Sequence, residues 1–390
     1  MVKELTSKER LLRALQLREP DRVPVTTFFN LFHTKTELSY TPLPDIVSEP
    51  SYNSLYEFAL ENSDFLQRHF FDTFVRRFFT EMEGNEYTHT CKVVDGKEAS
   101  ETTVITPKGK LTSYIKRSEA GVEKKALLEN EGDIHRALSL PSREIRLDLS
   151  QFFRNREQLG DKGLMVAQIY NPLSCLYFNS NLEEYAIWLI SDNGIVKKFL
   201  DTMFERIYHF LKHLLNSGVG PTFLIVGAEF ATPPMVSPRL FKRLVVNYDR
   251  KLIRLIHEHN CYAIIHCHGN VREVLDDIAS MEPDGLHPIE SPPSGNCELS
   301  EAKRRIGQKV CLIGNIQIDN LRRSKKPEID KLCKKAISNA GKNGGFILCP
   351  TTGPYEKTIS KRMADNYIQF IESGRRYGRY PLNKYIIRGE

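Results

Sequence analysis

The sequence predicts an α/β fold of the barrel type, a (β/α)8 arrangement preceded by a helical region and interrupted by an antiparallel hairpin insertion. Three observations carry this expectation. From residue 163 onward six apolar segments, GLMVAQIY, TFLIVGAEF, YAIIHCHG, GLHPIE, KVCLIGNI and GGFILCP, are each followed by an amphipathic one, the alternation that gives consecutive βα units and a parallel sheet. RVPV near the N-terminus and one strand in the early region bring the count toward the eight of a barrel. Polar residues also gather at the C-terminal ends of these segments, the edge on which a parallel barrel builds its site. An open doubly wound sheet is the alternative, although GxGxxG and P-loop spacings are both absent.

Taken in order, Ser7 to Leu17 reads as a helix, with Ser7 as N-cap, Glu9 close behind, and Leu11, Leu12, Leu15 and Leu17 forming an apolar stripe. Pro20 ends it. RVPVTTFF reads as a short buried strand, and residues 52–80, dense in Phe, Leu and Arg, as helical. Between about 86 and 126 the texture changes to alternating Thr, Val, Lys and Tyr, with turn signals at DGK and PKGK, which predicts antiparallel hairpins inserted into a single domain over 1–390. In the βα region, Ser237 followed by Pro238 marks a helix start, with Ser as N-cap and Pro at the first helical position.

Composition excludes some functions. The net charge of +6 arises from 55 basic residues interleaved with 49 acidic ones, so no basic surface for nucleic acid is indicated. No apolar run approaches the roughly 20 residues that cross a bilayer. The eight cysteines are scattered without a CxxC pair, as reduced thiols would be, and the charged N-terminus lacks the apolar core of a secretory signal. The expectation is a soluble cytoplasmic protein.

The polar strand ends are Tyr170 and Asn171, Glu229, His266 and His268, His287 and Glu290, Asn315, and Cys349 with Thr352. Side chains alternate along a strand. His266 and His268 therefore share a face with Ile264, and Cys267 faces the other way as a small buried hydrophobe. Two imidazoles so placed are either hydrogen-bonded cleft residues or ligands of one metal ion, at Zn–N distances of about 2.0–2.1 Å. Glu229 is a buried carboxylate paired with a base or a further ligand, and Cys349 is core or ligand. The Phe-rich stretch 28–33 packs in the core or lines a pocket. His257 and His259 read as partners of a helix C-terminus, and RRSKK (322–326) as a solvated helix start.

The segments SKERLLRALQLREPDRVPV, HCHGNVREVLDDIASMEPDGLHPIESPP, EAKRRIGQKVCLIGNI and GGFILCPTTGPYE together resemble the uroporphyrinogen decarboxylase superfamily over nearly the whole chain apart from the hairpins. The resemblance implies a distorted (β/α)8 (TIM) barrel. Where uroporphyrinogen decarboxylase itself carries PVWxMRQAGR, with arginines that hold substrate carboxylates, this chain reads PVTTFFNLFHTK, which argues against a many-carboxylate porphyrinogen. The other branch, the cobalamin-dependent methyltransferases and O-demethylating enzymes, binds zinc through HxCG and a later cysteine. His266 matches the first ligand, His268 stands where the motif has cysteine, Thr352 falls on the later cysteine position with Cys349 three residues before it, and Glu229 resembles the acidic residue ahead of the SP-initiated helix.

The resemblance thus implies a metal-dependent methyltransferase with zinc held by His266, His268, Glu229 and Cys349. Tyr170, Asn171 and His287 are candidates to orient a small methyl donor or supply a proton, Asn315 to contact cofactor, and a corrinoid protein carrying cobalamin is the implied partner. A His/His/carboxylate set leaves zinc a stronger Lewis acid than thiolates do, which suits an ether, alcohol or amine donor. A metal-independent carboxy-lyase and a non-catalytic corrinoid-binding barrel are the alternatives.

Overall fold

A computed structural model describes residues 4–28, 49–71, 78–94, 97–118, 121–191, 194–354 and 356–382. Seven strands form one curled parallel sheet in the order β1 (Phe65–Phe70), β6 (Gly163–Tyr170), β7 (Thr222–Val226), β8 (Tyr262–His266), β9 (Gly285–His287), β10 (Cys311–Ile316) and β11 (Phe346–Pro350). All six segments expected from residue 163 onward are strands of this sheet. A separate four-stranded antiparallel sheet comprises β2 (Tyr87–Val94), β3 (Lys97–Thr106), β4 (Gly109–Ser118) and β5 (Gly121–Lys125), where the hairpins were expected.

The sheet is barrel-like without being a closed eight-stranded ladder. The eighth place is taken by residues 23–26, which meet β11 through a single parallel bridge at Val25 and Leu348, with Leu348 N–H donating to Pro24 O and Thr26 N–H to Leu348 O. Pro24 has no N–H with which to extend a ladder. On the β1 side the link is half backbone and half side chain: Asp64 N–H donates to Val25 O at 2.7 Å, and Val25 N–H donates to the Asp64 carboxylate at 2.9 Å. The same carboxylate accepts from Arg10 at 2.7 Å and Arg22 at 2.6 Å.

Two other expectations change. The first helix, Ser7–Leu15, is capped by Thr6 rather than Ser7, because Thr6 and Glu9 satisfy each other's backbone N–H groups in a capping box. Among the described residues of 52–80 the α-helix covers Asn53–Asn62 alone. Beyond it Asp64 turns inward to the two arginines, and Phe65–Phe70 pairs with β6 from Phe65↔Gly163 to Phe70↔Gln168, which makes this the early strand of the barrel count.

Strand alternation separates two layers. Leu66, Leu164, Val166, Leu224, Val226, Ile264, Ile313, Ile347 and Cys349 fill the inside of the curl, whereas Ala167, Ile225, Ile265, Cys267 and Leu286 pack outward in the large core. The expected outward turn of Cys267 is therefore observed. Ser237 caps the helix Pro238–Phe241 as the sequence indicated, and His257 Nε2 pairs with Asp284 at 2.9 Å near the C-terminus of the helix Asn247–Glu258. No helix among the described residues is long and apolar enough to cross a membrane.

Candidate functional site

The inner face fixes which polar side chains meet at the C-terminal edge of the sheet. Following Ile264 by two residues, His266 ends β8 on that face, and His268 stands beside it with ring centroids 4.7 Å apart at 84°. His287 ends β9 next to β8, paired in register with His266. Their rings stack at 5.1 Å, and the two Nδ1 atoms lie 2.9 Å apart in a hydrogen bond. On its other side His287 Nε2 lies 3.1 Å from the carbonyl oxygen of Pro350 on β11.

Past β9 the chain brings Glu290 back against the end of β8. Its Oε2 is 3.1 Å from His268 Nδ1 and accepts from Gly269 N–H at 2.8 Å. Gly269 has φ +85°, a conformation glycine adopts without strain. Gly295 lets the chain fold over this corner: a Cβ there would stand 2.4 Å from Glu290 O and 2.6 Å from Gly269 O. Glu290, read from sequence as a polar strand end, belongs to the site through this contact.

Phe28 closes one wall. Its ring lies 4.2 Å from that of His287 and 6.1 Å from that of His266, and the Arg68 guanidinium of β1 lies 4.2 Å from its centroid. Phe28 thus lines the site; residues 29–33 of the Phe-rich stretch fall outside the described residues. Arg68 was missed because its segment read as helix. Burial, with the charges of His268, His287 and Arg68 nearby, holds His266 well below the ordinary imidazole range. Burial likewise lowers His287 to about 3. Both rings are neutral at physiological pH.

The remaining candidates divide. Tyr170 is on the inner face, its hydroxyl accepting from Gln168 Nε2 at 2.8 Å, and Asn315 donates to Ser291 Oγ at 3.4 Å. Cys349 lies inside the curl with its sulfur 3.7 Å from His287 Nε2, and burial pushes its thiol well above the ordinary range. Asn171 is a structural cap, fully buried: its Oδ1 accepts from Ser174 N–H at the start of the helix Pro172–Asn179. Glu229 sits in a short 3-10 turn after β7, with Gly227 N–H donating to it at 2.9 Å, and burial raises its pKa. Among the described residues no three His, Cys, Asp or Glu side chains are grouped as a metal would need, so the four-ligand set expected from sequence is not assembled.

Behind Asn171 lies Asp249, fully buried, accepting from Asn171 Nδ2 at 3.2 Å and with no partner for Oδ1 among the described residues. Burial raises its pKa from 3.8 to about 7. A carboxyl with a raised folded-state pKa holds its proton in the native state across a window where the unfolded chain has lost it. Stability therefore falls as pH rises from about 4 to about 7 and levels off above. At about 1.4 kcal/mol per pKa unit the loss is on the order of a few kcal/mol. Asp249→Asn should flatten this dependence and be more stable than the parent at pH 8, as urea unfolding at pH 5 and pH 8 will show; equal slopes in both proteins would contradict a protonated Asp249.

A family model described as uroporphyrinogen decarboxylase (URO-D) matches residues 154–365. The chain is 22% identical over 161 residues to a protein of Methanosarcina barkeri (strain Fusaro) named methylcobamide:CoM methyltransferase MtaA, and 21% identical over 161 residues to one of the same name from Methanosarcina barkeri. Each match covers 41% of this chain and 45% of the relative, so the chain spans less than half the length of the curated relatives it matches. Among solved structures it is similar to a methyltransferase from Methanosarcina mazei, with a TM-score of 0.60 and 18% identity over 96% of this chain and 99% of that one. At that identity the likeness shows a shared fold.

Proposed function

The chain belongs to the uroporphyrinogen decarboxylase family, matching its model over residues 154–365 of 390, and from this premise we propose that it is a zinc-dependent methyltransferase that passes a methyl group between a small donor and a corrinoid protein. The observation that carries the reading is the pair of imidazoles, His266 and His268, side by side at the C-terminal edge of the sheet with ring centroids 4.7 Å apart. Each has Nδ1 engaged by another side chain, and neither Nε2 is among the buried unpartnered nitrogens of the described residues. The His268 side chain is 34% exposed at the mouth. The names of the matched relatives favour methyl transfer over decarboxylation.

The two imidazoles fit zinc in kind, and the Glu229 carboxylate is close enough to His268 to interact with it electrostatically, while among the described residues no third donor is grouped with the pair. Cys349 fits less well, since its buried thiol stays protonated and zinc takes thiolate. His266 and His268 would hold the ion, which would supply a Lewis acid to draw electron density from the heteroatom losing its methyl group. The rest is done by the chain. Phe28 and His287 wall off one side, Glu290 and His287 would hold the two imidazoles, and the Tyr170 hydroxyl, which accepts from Gln168, would orient the donor. An oxygen- or nitrogen-linked methyl suits this donor set better than a thioether.

The test is elemental analysis of the full chain purified without chelator, together with absorbance assays for methyl transfer to cob(I)alamin from methanol, methoxy-aromatics and methylamines. About one zinc per chain and methylcobalamin formation that EDTA abolishes are expected. A chain that neither retains nor takes up zinc would sink the reading. Release of carbon dioxide unaffected by EDTA would establish the carboxy-lyase instead, and stabilisation by cobalamin without turnover the binding barrel; at 100 times Kd that stabilisation is about 2.7 kcal/mol.

A further inference from the structure

We propose that His287 and Glu290 are positioning residues that set the proton positions of the two imidazoles on and beside β8, so that His266 and His268 each carry a proton on Nδ1. The inference deepens the functional reading above by naming what prepares the two ligands, and it stands on hydrogen-bond valence. A carbonyl oxygen only accepts, so the 3.1 Å contact to Pro350 O makes His287 Nε2 the protonated nitrogen. A neutral imidazole has one ring proton; His287 Nδ1 is then a lone pair. The 2.9 Å contact between the two Nδ1 atoms needs one proton, and only His266 is left to supply it. His266 Nε2 is consequently unprotonated.

His268 is held through a separate contact, with Glu290. Glu290 Oε2 already accepts from Gly269 N–H at 2.8 Å, which marks it as an acceptor oxygen. The 3.1 Å contact from His268 Nδ1 then places a proton on Nδ1. Imidazole ligands are commonly oriented in this way, by a carbonyl or carboxylate on the nitrogen away from the metal. The alternative is a doubly protonated His287, which would reverse the proton between the two Nδ1 atoms and put one on His266 Nε2. Against it stand the burial of both rings, 1% exposure at His287, and the Arg68 guanidinium on the far side of their shared wall at Phe28. Among the described residues neither ring has a carboxylate within ion-pair distance.

Long-range 1H–15N correlation on the chelator-treated full chain with 15N-labelled histidine tests this without any metal, since it separates protonated from bare ring nitrogens. Signals are assigned from single His→Gln variants. His266 and His268 are expected as the Nδ1–H form and His287 as the Nε2–H form. His287→Phe should release His266 into a mixture of tautomers and leave His268 unchanged, while Glu290→Ala should do the converse. His287→Gln, whose amide can accept from His266 and donate to Pro350 O at once, should restore the wild-type form. Zinc affinity should fall about 10–100-fold in His287→Phe and in Glu290→Ala. A wild-type spectrum with a proton on His266 Nε2, or a His266 signal indifferent to His287→Phe, would overturn the proposal. If the tautomers hold but the chain takes up no zinc, the positioning assignment stands and the methyltransferase reading fails.

Discussion

Replacing His266 and His268 together with alanine is expected to lower kcat/KM for methyl transfer to a corrinoid by on the order of 10²–10³, with loss of bound zinc. The size follows from what the pair supplies: a Lewis acid contributes several kcal/mol of charge stabilisation in the transition state, and each 1.36 kcal/mol is tenfold in rate. Because the two nitrogens act on one ion, the effects should not add, and either single variant should come close to the double. His268 stands at the rim with 34% of its side chain exposed, so its replacement alone should move unfolding free energy by no more than about 1 kcal/mol, whereas loss of the part-buried, hydrogen-bonded His266 ring should cost more. Steady-state kinetics with the donor that wild type accepts, beside urea unfolding of the same proteins, decides the matter. Full transfer by a folded double variant would remove these residues from the chemistry.

The imidazole pair could be read from sequence because a period-two pattern needs no tertiary information: His266 and His268 follow Ile264 on one face whatever the strand packs against. The six strands from β6 onward were legible for a related reason. Their runs are apolar throughout, as strands covered on both faces must be, and caps such as Ser237–Pro238 mark the following helix. The segment FLQRHF lacks both signals. It puts Gln67 and His69 on the outer face and Arg68 on the inner one, so neither period appears, and its strand character is settled by pairing with β6 and by the pull on Asp64. Arg68 was lost to the site with it. Glu290 was visible as a polar strand end, but its contact with His268 depends on a turn through Gly295 that brings residues 22 apart together. Cys349 looked like a ligand by position; its surroundings inside the curl and the contact with His287 are properties of the fold.

The largest stability effect should come from the other end of the molecule. Asp64→Ala is expected to cost about 3–5 kcal/mol, the range for removing one partner of a buried ion pair and leaving the other charge uncompensated. Asp64 is fully buried, with Arg10 2% and Arg22 7% exposed, and its carboxylate accepts from both guanidinium groups and from Val25 N–H. Arg10 keeps Asp21 as a second partner at 2.7 Å, so Arg22 bears most of the loss. Against a typical domain stability of 5–15 kcal/mol this is a substantial fraction. Asp64→Asn, which retains an acceptor for Val25 N–H without the charge, should fall between the two. The effect should also reach the site. Asp64 stands in for the missing backbone ladder between β1 and residues 23–26, and that segment leads directly into Phe28, whose ring packs on His287. In Asp64→Asn, zinc affinity and transfer should therefore weaken along with the urea midpoint, while a variant at the solvated ion pair of Lys197 and Asp201 should change neither by more than about 0.5 kcal/mol. An Asp64→Ala protein as stable as the parent would mean that the two arginines find other partners, and that the eighth position of the sheet is held by its bridge to Leu348 alone.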